Sequence, residues 1–200
     1  MQIMTDQRQS SPATARNRDP ILTVLKDILP ATGLVLEVAS GFGEHAAYVA
    51  PQLPALVWQT SGREPQSRQS IIAWTADLGL APPLTLDVHD DPWPIVAADA
   101  VVCINMVHIC PWATTQALLA GAAKLLPVGG PLYLYGPYRV DGQHTAPSNH
   151  AFDLDLKRRN PAWGIRDLAD LTNEAAAHGL DLDRTVTMPS NNFSVIFRKV

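Results

Sequence analysis

Short apolar, β-branched runs alternate along this chain with stretches of helical period, and that alternation admits few folds. The first run, residues 34–38, follows a segment whose Ile21, Val24, Leu25 and Ile28 recur at helical spacing. Further runs at 55–60, 83–88, 99–105 and 131–135 are separated by helical patterns over 44–50, 67–78 and 114–126. Apolar runs of that length bounded by turn residues predict strands buried on both faces, joined by right-handed helical crossovers. After a helix over 167–177, two β-rich runs at 182–188 and 193–199 flank Pro189-Ser190-Asn191-Asn192 and predict a hairpin. The reading is therefore an α/β, Rossmann-like domain, a mostly parallel seven-stranded sheet closed by a C-terminal antiparallel hairpin with helices on both faces.

The first helix is expected to begin at Asp19-Pro20, a side-chain cap followed by a proline in the first turn. That leaves residues 1–18 as a polar arm ahead of a single domain over 19–200. Residues 136–166 show no clear period, and an irregular stretch of that length predicts a lid or substrate segment.

Composition narrows the function. A chain of 200 residues with 17% charged side chains is ordinary for one globular domain, and a net charge of −4 offers no electrostatic footprint for nucleic acid. No apolar run approaches the ~20 residues of a membrane span, and the N-terminus lacks the apolar core of a signal peptide. The expectation is a cytoplasmic protein without nucleic-acid or membrane partners, acting on a small molecule. Apolar segments around Trp93 and Ile109 are candidates for a homodimer contact. Cys103 and Cys110 read as reduced thiols, and His144 and His150 are too sparse for a metal site.

Open parallel sheets bind ligands beyond the carboxyl ends of their strands. After the first strand stands Glu37-Val38-Ala39-Ser40-Gly41-Phe42-Gly43. Acidic-x-small-x-Gly-x-Gly matches the nucleoside-binding turn of S-adenosylmethionine-dependent methyltransferases, where small residues let the backbone approach a ligand and take unusual dihedrals. A dinucleotide fingerprint needs a third glycine at position 46, which is Ala46. A plain tight turn is the remaining reading. Asp87 and Val88 end the third strand, where a carboxylate would meet an adenine amino group. Asn105 and Met106 follow the fourth strand and would face the methyl group. The second strand ends Trp58-Gln59-Thr60-Ser61-Gly62-Arg63-Glu64, with no acidic residue at the usual ribose-binding position but with Glu64 close by.

Several stretches together resemble a family of methyltransferase-like proteins grouped as a domain of unknown function, the group that includes methyltransferase-like protein 26. They are Ser11-Pro12-Ala13 with Arg16-Asn17, Leu36 to Gly41 with Gly43 and His45, Asn105-Met106 with His108-Ile109, and Pro111-Trp112. Leu134 to Tyr138, Ser148-Asn149 with Phe152-Asp153, Trp163 to Asp167, and Met188-Pro189 with Asn191-Asn192 continue the likeness over nearly all of residues 11–199. The resemblance implies a Rossmann-like class I methyltransferase fold with S-adenosylmethionine as cofactor and S-adenosylhomocysteine as its product. Thr60 and Gly62 depart from that family's Trp-Gln-Pro-Ser-Asp at the second strand end.

The candidate cofactor contacts are accordingly Glu37, Ala39, Ser40, Gly41, Gly43 and His45, then Ser61, Asp87, Val88, Asn105 and Met106. His108, just beyond the fourth strand and titrating near neutrality when unperturbed, is the candidate general base, with Tyr138 as a second catalytic or substrate-orienting group. Asn17, Trp112, Asn149, Asp153, Trp163 and Arg166 are candidates for the acceptor site, Arg166 as a carboxylate partner. Two readings from different classes follow: a small-molecule methyltransferase, and a catalytically inactive binding or regulatory protein on the same fold.

Overall fold

A computed structural model describes residues 7–200; the arm expected over 1–18 lies partly outside the described residues. Helix α1 (Pro12–Ile28) starts upstream of the expected Asp19-Pro20 boundary. Ser11 is its N-cap, and Pro20 lies inside the helix. The buried stripe explains this: Thr14 and Asn17 continue inward from Ile21, Leu25 and Ile28, so the stripe that holds the helix on the sheet extends back past the proline.

Strand β1 (Gly33–Val38) leads through helix α2 (Glu44–Val49) to β2 (Leu56–Thr60), and helix α3 (Pro65–Thr75) follows. Next come β3 (Ala100–Ile104), helix α4 (Trp112–Leu125) and β4 (Pro131–Gly136). The hairpin is β8 (Leu180–Met188) with β9 (Asn192–Lys199), entered from helix α6 (Leu168–Ala177). The main sheet has the order β2-β1-β3-β4-β9-β8; its first four strands are parallel, and the hairpin adds the antiparallel edge. The fold is a Rossmann-like α/β sheet with a C-terminal hairpin.

Among the described residues the main sheet has six strands rather than the expected seven. Residues 83–88 run beside β2 but contribute one bridge, Ser61 to Leu84, and are otherwise irregular up to a turn at 88–89. Leu86 and Val88 are instead buried in the core under the sheet, which is why the segment reads as apolar. The stretch 136–166 is also more regular than expected. It holds β5 (Tyr138–Val140), β6 (Gln143–His144) and helix α5 (Pro147–Arg159), and with β7 (Arg166–Asp167) the strands build a small separate sheet. Strands of two or three residues leave no period to read.

Alternate residues of the central strands feed two cores. Leu36, Val101, Cys103, Leu118 and Leu132 pack on one face, and Val35, Val102, Tyr133, Ile21 and Leu25 on the other. Trp93 belongs to the first core at 7% exposure, and its ring fills the space a side chain at Gly121 would need. Among the described residues no helix is long and apolar enough to cross a membrane.

Candidate functional site

The chain leaves β1 outward to β2 and returns to the other side of β1 with β3, so strand order reverses between β1 and β3. The loops beyond these two strands separate there and leave a crevice. Its volume is about 350 Å³, and Glu37, Ala39, Ser40 and Gly41 from β1 and its turn form one side. Ile104, Asn105 and Met106 from the end of β3 form the other, and Gly62, Arg63 and Glu64 after β2 close one end.

Backbone conformation marks the same place. Ala39 (φ 53°), Gly41 (φ 58°) and Asn105 (φ 59°) are all left-handed, a geometry that non-glycine residues hold only where their surroundings over-determine it. A Cβ on Gly41 would meet nothing within 4 Å, so this glycine borders open space. Gly43 differs. A Cβ there would stand 2.7 Å from the Ile71 Cα, which fixes Gly43 as the contact between the turn and α3 and removes it from the crevice wall.

Hydrogen bonds hold the turn. Ser61 Oγ donates to the Glu37 carbonyl at 2.8 Å, Ser40 Oγ donates to the same carbonyl at 3.1 Å, and Ser40 Oγ accepts from Ser61 N–H at 3.1 Å. Ser61 is fully buried in this network and does not reach the crevice. The Glu37 side chain is 1% exposed and accepts from Trp58 Nε1 at 3.0 Å. Burial raises its pKa to about 7 against the opposing bonds from Trp58 and Ser40, and no cation pairs with it among the described residues.

Asp87 and Val88 stand away from this crevice. Asp87 caps the His89 N–H at 3.0 Å and lies 3.5 Å from Arg63, while Val88 is in the core. The segment joins the far side of β2 by one bridge only, and Asp87 reaches the crevice no further than its wall residue Arg63. The acid on the side of β2 is Glu64 instead, on the crevice wall and paired with Arg63 at 2.9 Å.

A second cavity of about 640 Å³ adjoins the first through Ser11, Asn105 and Ile109, which line both. Helix α1 supplies Arg16 and Asn17, α5 supplies Asn149 and Phe152, and the hairpin turn supplies Ser190, Asn191 and Asn192. His108 and Tyr135 complete its interior. Ser190 (φ 60°) and Asn191 (φ 56°) are again left-handed. His108 is 5% exposed, packs edge-on against Phe152 with centroids at 5.7 Å, and has no side-chain hydrogen bond among the described residues. Burial, aided by the Arg166 charge, lowers its pKa to about 4, so the ring is neutral at physiological pH.

The other candidates line neither of these two spaces. Tyr138 is 1% exposed, sits in the core and has no hydroxyl partner among the described residues, so it touches neither cavity. Arg166 donates to the carbonyls of Cys110 (2.5 Å), Ala162 (2.8 Å) and Val107 (3.4 Å), and with Trp112 it lines a third cavity on another side. Asp153 is buried and accepts from Lys157 Nζ at 2.6 Å and Ile165 N–H at 2.7 Å. Trp163 carries Arg159 over its ring at 5.2 Å. Their clustering in 107–112 and 153–166 reflects how that segment is tied down. Sequence reasoning passed over Ser11, Arg16, Tyr135, Asn191 and Asn192, which come from the start of α1, the end of β4 and the hairpin turn and meet only through the fold. Only their presence in the family-like stretches pointed to them.

Residues 8–199 match the family described as "Protein of unknown function (DUF938)". The chain belongs to this family. Its fold is shared with solved methyltransferases at low identity. A calicheamicin-biosynthesis methyltransferase, CalO1, in its SAH-bound form matches with a TM-score of 0.74 and 20% identity, over 94% of this chain and 54% of that one. Human N-acetylserotonin methyltransferase in complex with SAM matches with a TM-score of 0.74 and 14% identity, over 94% and 52%. The mitomycin 7-O-methyltransferase MmcR matches with a TM-score of 0.78 and 15% identity, over 94% and 54%. The chain spans about half the length of the structures it matches. This family has a class I SAM-dependent methyltransferase-like fold.

Proposed function

We propose that the protein binds S-adenosylmethionine in the crevice between β1 and β3 and methylates a small molecule held in the adjoining cavity. The observation that carries this reading is the adjacency of the two spaces, a nucleoside-sized crevice at the switch point opening onto a polar cavity that holds an unpaired neutral histidine. The donor set suits the cofactor. Gly41 leaves open space beside a tight backbone turn, the buried Glu37 carboxyl lacks a cationic partner for which an ammonium would serve, and Glu64 stands on the side of β2 for ribose hydroxyls. When bound, S-adenosylmethionine supplies a methyl group on a sulfonium, which passes to an acceptor lone pair as the carbon–sulfur bond breaks with its electrons kept on sulfur.

The chain's own contribution is position and proton handling. Asn105 and Ile109, on the wall of both spaces, align the acceptor toward the crevice. His108 takes the proton from an acceptor hydroxyl or ammonium, and its neutral ring is already the basic form at pH 7. Cys103 and Tyr138 are buried in the core and line neither space.

Calorimetry with S-adenosylhomocysteine tests the cofactor reading. A micromolar isotherm is expected for the native protein, with none for Gly41→Asp, whose carboxylate would project into the open space. Incubation with methyl-labelled S-adenosylmethionine and a metabolite extract should yield a labelled small product. Absence of binding overturns the proposal, and binding without transfer to any fraction favours the inactive binding protein.

A further inference from the structure

Every formally charged side chain on the wall of the acceptor cavity, among the described residues, is one arginine. Arg16 has no carboxylate or other partner among them, and the cavity has no Asp or Glu on its wall. Most other arginines of the protein are engaged: Arg63, Arg158, Arg184 and Arg198 pair with acids, and Arg166 binds carbonyls.

A second feature points the same way. Tyr135 is 2% exposed, and its hydroxyl oxygen accepts from Asn192 Nδ2 at 3.2 Å. That bond opposes the upward push of burial on the tyrosine pKa, as a donor to the oxygen must. On the same cavity wall, Asn17 Oδ1, an atom that can only accept, lies 2.9 Å from Nε2 of the neutral His45 ring, so the imidazole donates and the Asn17 amide nitrogen is left as a further donor. With the Asn192 amide donating to its oxygen, the Tyr135 hydroxyl offers its proton, and no protein acceptor takes it among the described residues. The cavity thus presents a guanidinium and a polarised O–H, both donors, and no competing acid.

We infer that the methyl acceptor is a small anion, a carboxylate whose oxygens are received by the Arg16 guanidinium and the Tyr135 hydroxyl. Charge-assisted bonds of this kind are shorter and stronger than neutral ones, and a guanidinium fork matches two carboxylate oxygens. The His45–Asn17 bond runs from the cofactor crevice to the acceptor cavity, because His45 lines the one and Asn17 the other. The identification of the anion as an acceptor rests on the methyltransferase reading; the anion site itself does not.

The test uses matched pairs differing only in charge: 4-hydroxybenzoate with 4-hydroxybenzamide, and 3-hydroxybutyrate with 3-hydroxybutyramide. Each is titrated by ligand-observed NMR into the full-length protein, with and without S-adenosylhomocysteine, and calorimetry on the same samples measures the nucleoside. At least one acid should bind about fivefold or more tightly than its amide. Arg16→Gln should erase that preference, Arg16→Lys should keep part of it, and Tyr135→Phe should reduce it with the nucleoside affinity unchanged in Arg16→Gln. If no acid outbinds its amide, or the preference survives Arg16→Gln, the inference fails. Nucleoside binding without acid preference sinks this inference alone. Acid preference without nucleoside binding sinks the methyltransferase reading and leaves an anion-binding protein.

Discussion

Glu37 is fixed by two opposing demands. Its place at the end of β1 buries it against Trp58, yet its carboxyl borders a crevice suited to a cation. Burial raises its pKa from 4.5 to about 7, so between those values the folded protein holds a proton that the unfolded chain releases. The stability tied to that proton is complete below 4.5 and is lost as pH rises through 7. Glu37→Gln retains an acceptor for Trp58 Nε1 and cannot ionise. Urea unfolding should find it more stable than the native protein by about 2–3 kcal/mol at pH 8, with the gap closing by pH 4.5. A pH-independent difference would show that the native carboxyl is not raised. The same ionisation predicts that S-adenosylhomocysteine binds more tightly as pH climbs from 6 to 8, with proton release visible as a dependence of the calorimetric heat on buffer. Such behaviour was not legible in the sequence, where Glu37 is simply an acid at a strand end. Its role in the turn could be read from spacing, but its desolvation depends on Trp58, which only the pairing of β1 with β2 brings alongside.

At the scale of elements, the glycine turn divides its labour between its two glycines, and substitutions separate the parts. Gly43→Ala would drive a methyl to 2.7 Å from the Ile71 backbone. Since α3 must then shift, thermal unfolding should show a loss of about 2 kcal/mol or more. Gly41→Ala meets no atoms and should cost only the left-handed strain, about 1–2 kcal/mol. The N-terminal segment is the second element with a specific role. Ser11 N–H donates to Glu44 at 2.5 Å, Gln9 N–H donates to Ser70 Oγ at 2.9 Å, and Trp74 Nε1 donates to the Gln9 carbonyl at 2.7 Å. The segment ahead of α1 is thereby strapped beside the crevice, a place the sequence assigned to 136–166. Glu44→Ala should speed amide exchange over residues 9–14 by about tenfold while leaving the central strands protected. Strands β1, β3 and β4 were legible because burial on both faces leaves an unbroken apolar run. Helix α1 was misplaced because Asp19-Pro20 has the chemistry of a start, and only the sheet surface beneath Thr14 and Asn17 outweighs it. Segment 83–88 failed for the converse reason: apolar residues bound for the core need not lie in a strand.

On the scale of the whole molecule, the two spaces are assembled from parts far apart in the chain. The crevice needs β1 beside β3, and the cavity needs α1, the loop after β3, α5 and the hairpin turn to converge. Sequence order says which strands exist but not that β3 returns across β1, and it is this reversal that opens the crevice. A ligand bound there bridges segments that the backbone alone does not join, so binding should resist their separation rather than rigidify one loop. At a free ligand concentration one hundred times the dissociation constant, S-adenosylhomocysteine should raise unfolding stability by about 2.7 kcal/mol. Amide exchange should slow together at residues 9–14, 39–45 and 104–109. Strand β8, at the sheet edge and outside both walls, should exchange at its original rate after allowance for the global term. Uniform slowing across β8 as well would mean that the ligand senses only global unfolding. Slowing confined to 39–45 would mean that the N-terminal strap and the loop after β3 do not take part, and the shared wall of Ser11, Asn105 and Ile109 would lose its role in joining cofactor to acceptor.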